Sequence, residues 1–318
     1  CPVDAGGRKG EDIRSGFANM KNPVHRETVV FPRKMKAFLE TRDEKKPFCM
    51  SISYKAPHGP WQDWDRRYAK LHKGQQIPMK PTATLEAALA QPQFLQDTLE
   101  SDRARDWMER GVFNGWYQHY YRLIAGMDNS IGQICKLLKE HGVADNTVII
   151  FMGDNGHFMG EHGLSGKWLL FEESIQVPLF IYDPRLPESK RGEISSEIAL
   201  NVDVYPTITQ LAGIKEPEWL QGSSLVPLLE NPEKELRDGS FFEHHFTLRP
   251  PHTIVQSEGY RSKDWKYIRY TEMDPVVEQL FDLNNDPLEE HDLAGNPEYR
   301  STLDKYRSRW QEERSELR

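Results

Sequence analysis

The stretch "IIFMGDNGHFMGEHGLSGKW", residues 149–168, joins an apolar run to a polar loop that is rich in glycine. The apolar run ends at Gly153, and two acids, an amide, two histidines and a lysine then follow among the five glycines of the stretch. A short, continuous apolar run is typical of a strand in a sheet that is covered on both faces. In parallel α/β sheets, ligands bind beyond the carboxyl ends of the strands. The stretch therefore predicts an α/β fold with a polar site directly after this strand.

Strand and helix patterns alternate along the chain to about residue 235. "KPFCMSISYKAPHGPW" and "VPLFIYDP" read as further strands, and "VVFPRKMKAFLETR" and "NVDVYPTITQLAG" as helices. From Tyr117, apolar residues recur at helical spacing until "EHG" closes the pattern with a glycine. We expect residues 1–235 to form an α/β/α domain in three layers around a mostly parallel sheet. Residues 236–318 predict a small antiparallel sheet followed by a terminal helix.

Composition limits the classes of partner. The 318 residues carry a formal net charge of -8, which argues against nucleic acid as a partner. No apolar run approaches the roughly 20 residues that a membrane-spanning helix needs. The three cysteines, Cys1, Cys49 and Cys135, are too few for a disulfide framework and form no CxxC pair. The residues alone leave the cellular compartment open.

Asp154 and Asn155 are candidate metal ligands. A carboxylate and an amide both offer oxygen atoms, which Ca²⁺ and Mg²⁺ prefer, whereas zinc favours histidine or cysteine. Asp-Asn-Gly is also a frequent turn sequence, so a simple turn is the alternative. Lys167 lies at the far end of the glycine-rich loop, where it could neutralise an anion that also touches the metal. Its alternative is an ordinary solvated lysine.

A second polar group follows the predicted strand that ends at Lys55. His58 stands between two prolines that stiffen its backbone. Such a histidine suits proton transfer to a leaving group or hydrogen bonding to an anion, although a structural role is equally open. His157 and His162 could contact a substrate, or they could serve as local hydrogen-bonding groups.

Four motifs together resemble the sulfatase family of the alkaline-phosphatase-like superfamily. "GDNG…GEHGL.GK…EES..VPL" resembles the second signature region of that family. "SYKAPHGPW", "NVDVYPTITQLAGI…QGSSLVPLL" and "RSKDWKYIRY…QLFDLNNDPLEEHDLAGNPEY" occur in the family's order, so the resemblance runs from about residue 30 to the end. It implies a sulfuric ester hydrolase of alkaline-phosphatase-like fold, in a periplasmic or extracellular location.

The resemblance also implies roles for individual residues. Asp154 and Asn155 would be calcium ligands, with magnesium as the alternative ion; Lys167 would bind the sulfate group, and His58 would bind sulfate or assist the leaving oxygen. The family's nucleophile is a formylglycine made in a C/S-x-P/A-x-R motif. "KAPHGP", "GEHGL" and "FFEHHF" resemble sulfatases that act on carbohydrates, including N-acetylglucosamine 6-sulfate. Further candidates for contact with a sulfated small molecule or carbohydrate are Lys55, His157, His162, His244 and His245.

The chain departs from the family pattern in three respects. No cysteine or serine fits the nucleophile motif, no Asp-Asp pair occurs, and no GKWH segment occurs. These elements normally precede the segment matched here, which predicts a chain that lacks the N-terminal part of the fold and is inactive alone. Such a chain should expose an apolar sheet face or edge that another polypeptide could cover. The alternatives are a catalytically inactive module that binds sulfated glycans, and a phosphoester hydrolase of the same superfamily.

Overall fold

The computed structural model describes residues 25–215, 217–248 and 253–316, so that Cys1 lies outside the described residues. They form two compact units. The first contains the described part of Cys1–Ile77 together with Asn114–Thr147, and the second contains Pro78–Phe113 and Val148–Arg318. The domain boundary expected near residue 235 stays a prediction. Within the described ranges, no helix combines the length and apolar character that crossing a bilayer requires.

The helices over residues 31–41, 113–140, 204–211 and 300–316 occur where the apolar spacing predicted them. The longest contains 28 residues and ends where Gly142, with φ +68°, donates its N–H to the Lys139 carbonyl, so the predicted helix and its closing glycine are confirmed. The sequence predicted a long surface excursion over residues 75–110, which is wrong, because three helices lie between residues 85 and 109 and bury side chains such as Leu95 and Ala104. The α-helices of the described residues are α1 (Phe31–Thr41), α2 (Leu85–Ala90), α3 (Gln93–Gln96), α4 (Leu99–Glu109), α5 (Phe113–Glu140), α6 (Glu172–Ile175), α7 (Val204–Leu211), α8 (Val226–Glu230) and α9 (Arg300–Glu316).

Strands occupy two separate regions of the second unit. The first region surrounds the glycine-rich loop and the second lies towards the C-terminus. The strands are β1 (Ile149–Met152), β2 (Phe158–Met159), β3 (Ser165–Gly166), β4 (Leu179–Tyr182), β5 (Gly239–His244), β6 (Ser257–Ser262), β7 (Trp265–Tyr270) and β8 (Val277–Asp282).

The expectation of a mostly parallel sheet is wrong for the described residues. Strand β1 pairs with β4 in antiparallel register, with Ile149 opposite Tyr182. Parallel strands are usually joined by a long crossover helix, but the segment between β1 and β4 contains the short strands β2 and β3 and only the four-residue helix α6. The strand predicted over residues 47–55 is also absent from the structure, because no described residue forms a ladder with it.

The predicted C-terminal sheet and helix are confirmed. Strands β5 to β8 form an antiparallel meander in sequence order, and the sheet is buried on both faces. Side chains alternate between the faces with a period of two residues. On one face, Tyr267 and Leu280 pack against Trp310 of α9. On the other, Ile268 and Phe281 pack against apolar residues of the glycine-rich loop, including Phe171. The sheet thus forms the support on which that loop rests.

Candidate functional site

The glycine-rich loop, residues 153–171, is folded tightly against helix α6, which follows it. Gly156 donates its N–H to the Ser174 carbonyl at 2.8 Å. A Cβ atom at Gly156 would lie 2.0 Å from the Glu173 carbonyl oxygen, so no larger residue fits there. Gly163 has φ +68°, and a Cβ atom would lie 2.1 Å from that of Ala88. These close approaches explain why glycine interrupts the polar residues of the loop.

The folded loop brings Lys167 back to the end of β1. The Lys167 Nζ donates to Asn155 Oδ1 at 3.2 Å, and the Asn155 backbone N–H donates to Asp154 Oδ1 at 3.0 Å. Asn201 fixes the turn from the other side, because its Nδ2 donates to the Asp154 carbonyl at 3.2 Å. Asp154 and Asn155 are exposed, and Lys167 is half-buried. A carboxylate, an amide oxygen and an ammonium group therefore share one surface site.

The oxygen donors at this site fit part of a hard-cation site. Among the described residues, no hydrogen bond occupies Asp154 Oδ2, and Asn155 Oδ1 keeps a lone pair beyond its bond with Lys167. Calcium takes about 6–8 oxygen ligands, so these two side chains would form only part of its shell. Asp154 and Asn155 would hold the ion, and the ion would stabilise negative charge on a bound oxyanion.

His162 is placed in the core. Its side chain is buried, its ring stacks on Phe171 with centroids 4.5 Å apart, and Nε2 lies 3.2 Å from Glu173 Oε2. Burial acts to raise the pKa of Glu173, but the hydrogen bond and charge of His162 outweigh it and the pKa is lowered. Of the two roles considered for His162, this position fits that of a local hydrogen-bonding group. His157 is half-buried, and its Nδ1 lies 2.7 Å from the Phe158 carbonyl.

A buried charge cluster anchors the end of the loop to the C-terminal sheet. Lys266 of β7 is 1% exposed, and its Nζ lies 2.7 Å from both Glu172 Oε1 and Glu289 Oε1. Both contacts are buried ion pairs between the ammonium group and a carboxylate. Glu289 Oε2 also accepts from the Glu172 backbone N–H at 2.7 Å, and Arg261 binds both Glu172 oxygens at 3.2 Å. Burial acts to raise the pKa of Glu172, but Lys266 and Arg261 outweigh it and lower the pKa.

Sequence reasoning missed this cluster. Lys266 lies in "WKYIRY", where a single lysine resembles a solvated strand residue. The period of two residues nevertheless places Lys266 on the same face as Ile268 and Tyr270, both of which are buried. That alternation was the available signal that the lysine is internal and needs charged partners.

The "FFEHHF" segment lies beside the loop. Phe246 stacks on Trp168, the residue after Lys167, with ring centroids 6.3 Å apart. His244 is half-buried, and burial lowers the pKa of its imidazole. His245 is exposed and its Nε2 lies 2.9 Å from Glu243 Oε2. The strand β5 that carries the first part of this segment was not predicted from the sequence.

Lys55 and His58 belong to the first unit. Glu27, a buried carboxylate, accepts from the backbone N–H groups of Lys55 at 2.6 Å and Ala56 at 3.0 Å. The turn continues with the His58 N–H donating to the Lys55 carbonyl at 2.8 Å. The exposed His58 ring places Nδ1 2.9 Å from the Gly59 carbonyl. The convergence of His58 with Asp154 stays a prediction.

Two models of known protein families match this chain. The sulfatase family model matches residues 15–214, well over half of the chain. This chain belongs to the sulfatase family. A model of the C-terminal part of N-sulphoglucosamine sulphohydrolase also matches residues 160–316, which include the second part of the glycine-rich loop and the C-terminal sheet.

Individual sulfatases are similar over most of this chain. An N-acetylglucosamine-6-O-sulfatase from Bacteroides thetaiotaomicron is 29% identical over 82% of the chain and 56% of its own length. An arylsulfatase from Clostridium perfringens is 31% identical over 84% of the chain and 53% of its own length. The chain therefore spans about half the length of these curated relatives.

A solved structure supports the fold. A protein in complex with its substrate D-glucosamine-2-N,6-O-disulfate matches with a TM-score of 0.75 and 25% identity, over 90% of this chain and 69% of that one. The alkaline-phosphatase-like fold predicted from the motifs is confirmed for this sulfatase-family chain, together with its C-terminal sheet and helix. Members of the family bind a divalent metal, which agrees with the oxygen donors at the end of β1.

Proposed function

We propose that this chain carries part of the active site of a sulfuric ester hydrolase. The observation that carries the proposal is the contact of Lys167 Nζ with Asn155 Oδ1, beside the Asp154 carboxylate. The Lys167 ammonium group binds a sulfate oxygen, and Asp154 and Asn155 hold a divalent cation, calcium or magnesium. His58 binds sulfate or donates a proton to the leaving oxygen.

The nucleophile of the reaction comes from outside the 318 residues. No C/S-x-P/A-x-R motif occurs in this sequence. Without a nucleophile the covalent route is closed, and water would have to attack the sulfate ester directly. Removing the nucleophile from an integrated site lowers kcat by about 10⁶ in one protease series. We therefore infer that the 318-residue chain alone gives no measurable turnover.

A second polypeptide segment would cover the sheet formed by β1 and β4. Phe180 is 54% exposed and Tyr182 47%, and both lie in strand β4. Phe151 stacks on Phe180 with centroids 4.7 Å apart, so the aromatic surface continues onto β1. Exposed apolar surface of this kind marks an interaction site. We propose that the segment carrying the nucleophile packs here.

The proposed substrate is a sulfated carbohydrate of the glucosamine type. The Bacteroides relative is named for N-acetylglucosamine 6-O-sulfate, and the solved relative holds a disulfated glucosamine. Trp168 and Phe246 present stacked aromatic rings next to Lys167, and Phe246 is 52% exposed. Such rings can pack against the apolar face of a sugar, with His244 beside them. Because His162 is buried, we leave its ring out of the proposed sugar contacts, while contacts by Lys55, His157 and His245 stay predictions.

Parallel ester assays test the proposed function. Release of sulfate from a 6-sulfated glucosamine and of phosphate from the matching phosphate ester would be measured for two proteins. One is the 318-residue chain, and the other is a longer form that includes an upstream C/S-x-P/A-x-R segment. We expect sulfate release by the longer form alone, and its loss after a chelator removes the divalent ion.

Other outcomes of these assays would exclude the proposal. Preferential phosphate release would identify a phosphoester hydrolase. Tight binding of the sulfated sugar with no turnover by either form would identify a binding module. Rapid release of sulfate by the 318-residue chain would show that it contains its own nucleophile.

A further inference from the structure

Arg103 of helix α4 lies against the polypeptide that carries Lys167. Helix α4 packs on strand β3, and Arg103 Nη1 lies 3.5 Å from the position that a Cβ atom would take at Gly166, the residue before Lys167. The indole ring of Trp168 approaches the same position, with its Cζ3 atom at 3.6 Å. The guanidinium group and the indole ring therefore flank the backbone of the proposed sulfate ligand.

The guanidinium group of Arg103 has no hydrogen bond and no ion pair within the described ranges. Helical spacing offers it Asp106, three residues later, but Asp106 pairs with Arg110 at 3.2 Å. Arg105, on the same helix, pairs with Asp102 at 2.7 Å. Arg103 is half-buried, and its nitrogen atoms remain accessible to solvent. The group is therefore open to a ligand.

Glu100, three residues before Arg103, leaves the positive charge of that residue largely unbalanced. Glu100 is 0% exposed, and neither of its oxygens makes a hydrogen bond in the described part of the chain. Burial raises the pKa of Glu100 to about 7, although the charge of Arg103 acts in the opposite direction. Below that pH the carboxyl group is mostly protonated. An unbalanced cation beside a ligand site favours an anionic ligand, even in a chain whose net charge is -8.

The backbone of Trp168 adopts an unusual conformation next to this cation. Its φ is +85°, in the left-handed region that residues with a large side chain seldom adopt. The next residue, Leu169, is buried, whereas Trp168 is half-buried and stacks on Phe246. Backbone strain of this kind is concentrated at ligand sites, where the surrounding structure maintains it. A sugar that packs on these rings brings its substituents towards Arg103.

We propose that Arg103 binds a second anionic group of the sugar, in addition to the sulfate that Lys167 binds. This role rests on the proposed function, because it places the same sugar at the same surface. A guanidinium group offers parallel N–H donors, which suit the oxygens of a sulfate or a carboxylate. The second anion is a sulfate on the amine of the glucosamine or the carboxylate of a uronic acid joined to it. In either case Arg103 makes the enzyme selective for a doubly charged substrate.

Substrates that differ in this one group test the role of Arg103. The longer form with the nucleophile segment would be assayed on N-acetylglucosamine 6-sulfate, on glucosamine with sulfates on its amine and at O6, and on a disaccharide of a uronic acid and N-acetylglucosamine 6-sulfate. Arg103→Gln removes the charge and keeps a polar side chain. We expect it to raise KM about 10- to 100-fold for at least one doubly charged substrate and to leave kcat/KM for N-acetylglucosamine 6-sulfate unchanged.

Arg110→Gln is the matched control. Arg110 stands at the end of the same helix, is exposed, and is already paired with Asp106, so its loss should leave KM unchanged for all three substrates. A purely structural role of Arg103 would lower kcat/KM by the same factor for all three substrates. That result, or unchanged KM values for both doubly charged substrates, would overturn the proposed role.

Two measurements separate this role from the proposed function. Sulfate release from N-acetylglucosamine 6-sulfate by the unsubstituted longer form tests the function alone. If that form releases no sulfate, calorimetry of the same three sugars with the 318-residue chain decides the role of Arg103. We then expect Arg103→Gln to weaken binding of a doubly charged sugar and Arg110→Gln to leave it unchanged. Equal affinities of the unsubstituted chain and Arg103→Gln, including no binding by either, would contradict the role.

Discussion

Lys167 reaches Asn155, twelve residues earlier in the chain, because the loop between them folds back on glycines. At Gly156 the neighbouring backbone leaves no space for a Cβ atom. The sequence signal was therefore informative at this point, since a glycine-rich loop between a strand end and a lysine predicts that the two meet. The role of His162 could not be predicted in the same way, because nothing in "GEHGL" indicates that its ring turns into the core.

Glu100 gives a prediction at the scale of a single residue. It lies in α4 and is 0% exposed, and burial raises its pKa from an ordinary 4.5 to about 7. The folded protein then holds this proton up to a higher pH than the unfolded chain does. The contribution of Glu100 to stability is therefore fully present below about pH 4.5 and is lost as the pH rises to about 7, by up to ~3 kcal/mol.

Unfolding by urea at several pH values measures this effect. Glu100→Gln should give a free energy of unfolding that falls less steeply between pH 4.5 and 7 than that of the unsubstituted chain. Glu109→Gln, an exposed position on the same helix, should keep the original slope. Identical slopes for Glu100→Gln and the unsubstituted chain would show that Glu100 titrates normally.

At the scale of elements, the ion cluster around Lys266 links α6 to β7. Helix α6 begins at Glu172, five residues after Lys167. The ion pairs of Glu172 therefore also restrict the loop that carries the proposed sulfate ligand. The glycine-rich loop packs on one face of the C-terminal sheet and α9 packs on the other, through residues that alternate along β7. The antiparallel strands β6 to β8 were predicted from their hairpin-like sequence, whereas β5 was not. The partners of Lys266 were not, because they are distant in sequence.

Removing the central lysine tests this link. Lys266→Met leaves Glu172 and Glu289 without their shared cation, and breaking a buried pair of this kind costs about 3–5 kcal/mol of stability. The measurement is the midpoint of urea unfolding, followed by circular dichroism. Lys36→Met is the control, because that lysine and its partner Glu40 are both exposed and its loss should have a clearly smaller effect. Equal destabilisation by the two changes would contradict the proposed anchor.

At the scale of the whole molecule, local patterns predicted the elements better than their pairing. The spacing of apolar residues located α5, and the polar residues after β1 located the candidate site. The described residues form no parallel sheet, because the sequence pattern of a strand does not specify which strand it pairs with. Strand β1 pairs instead with β4, in antiparallel register. Residues 47–55 similarly have a strand pattern without a ladder. The exposed Phe180 and Tyr182 fit a sheet that further polypeptide would complete.

Lys167→Ala, made in the longer form with the nucleophile segment, tests the central claim most directly. The measurement is the rate of sulfate release from a 6-sulfated glucosamine, compared with Lys190→Ala, which removes an exposed lysine of the same unit. Losing one group that stabilises a developing oxyanion lowers kcat by about 100- to 1000-fold, so we predict a decrease of that size for Lys167→Ala and no change for Lys190→Ala. Equal rates for the two variants would show that Lys167 does not bind the sulfate group.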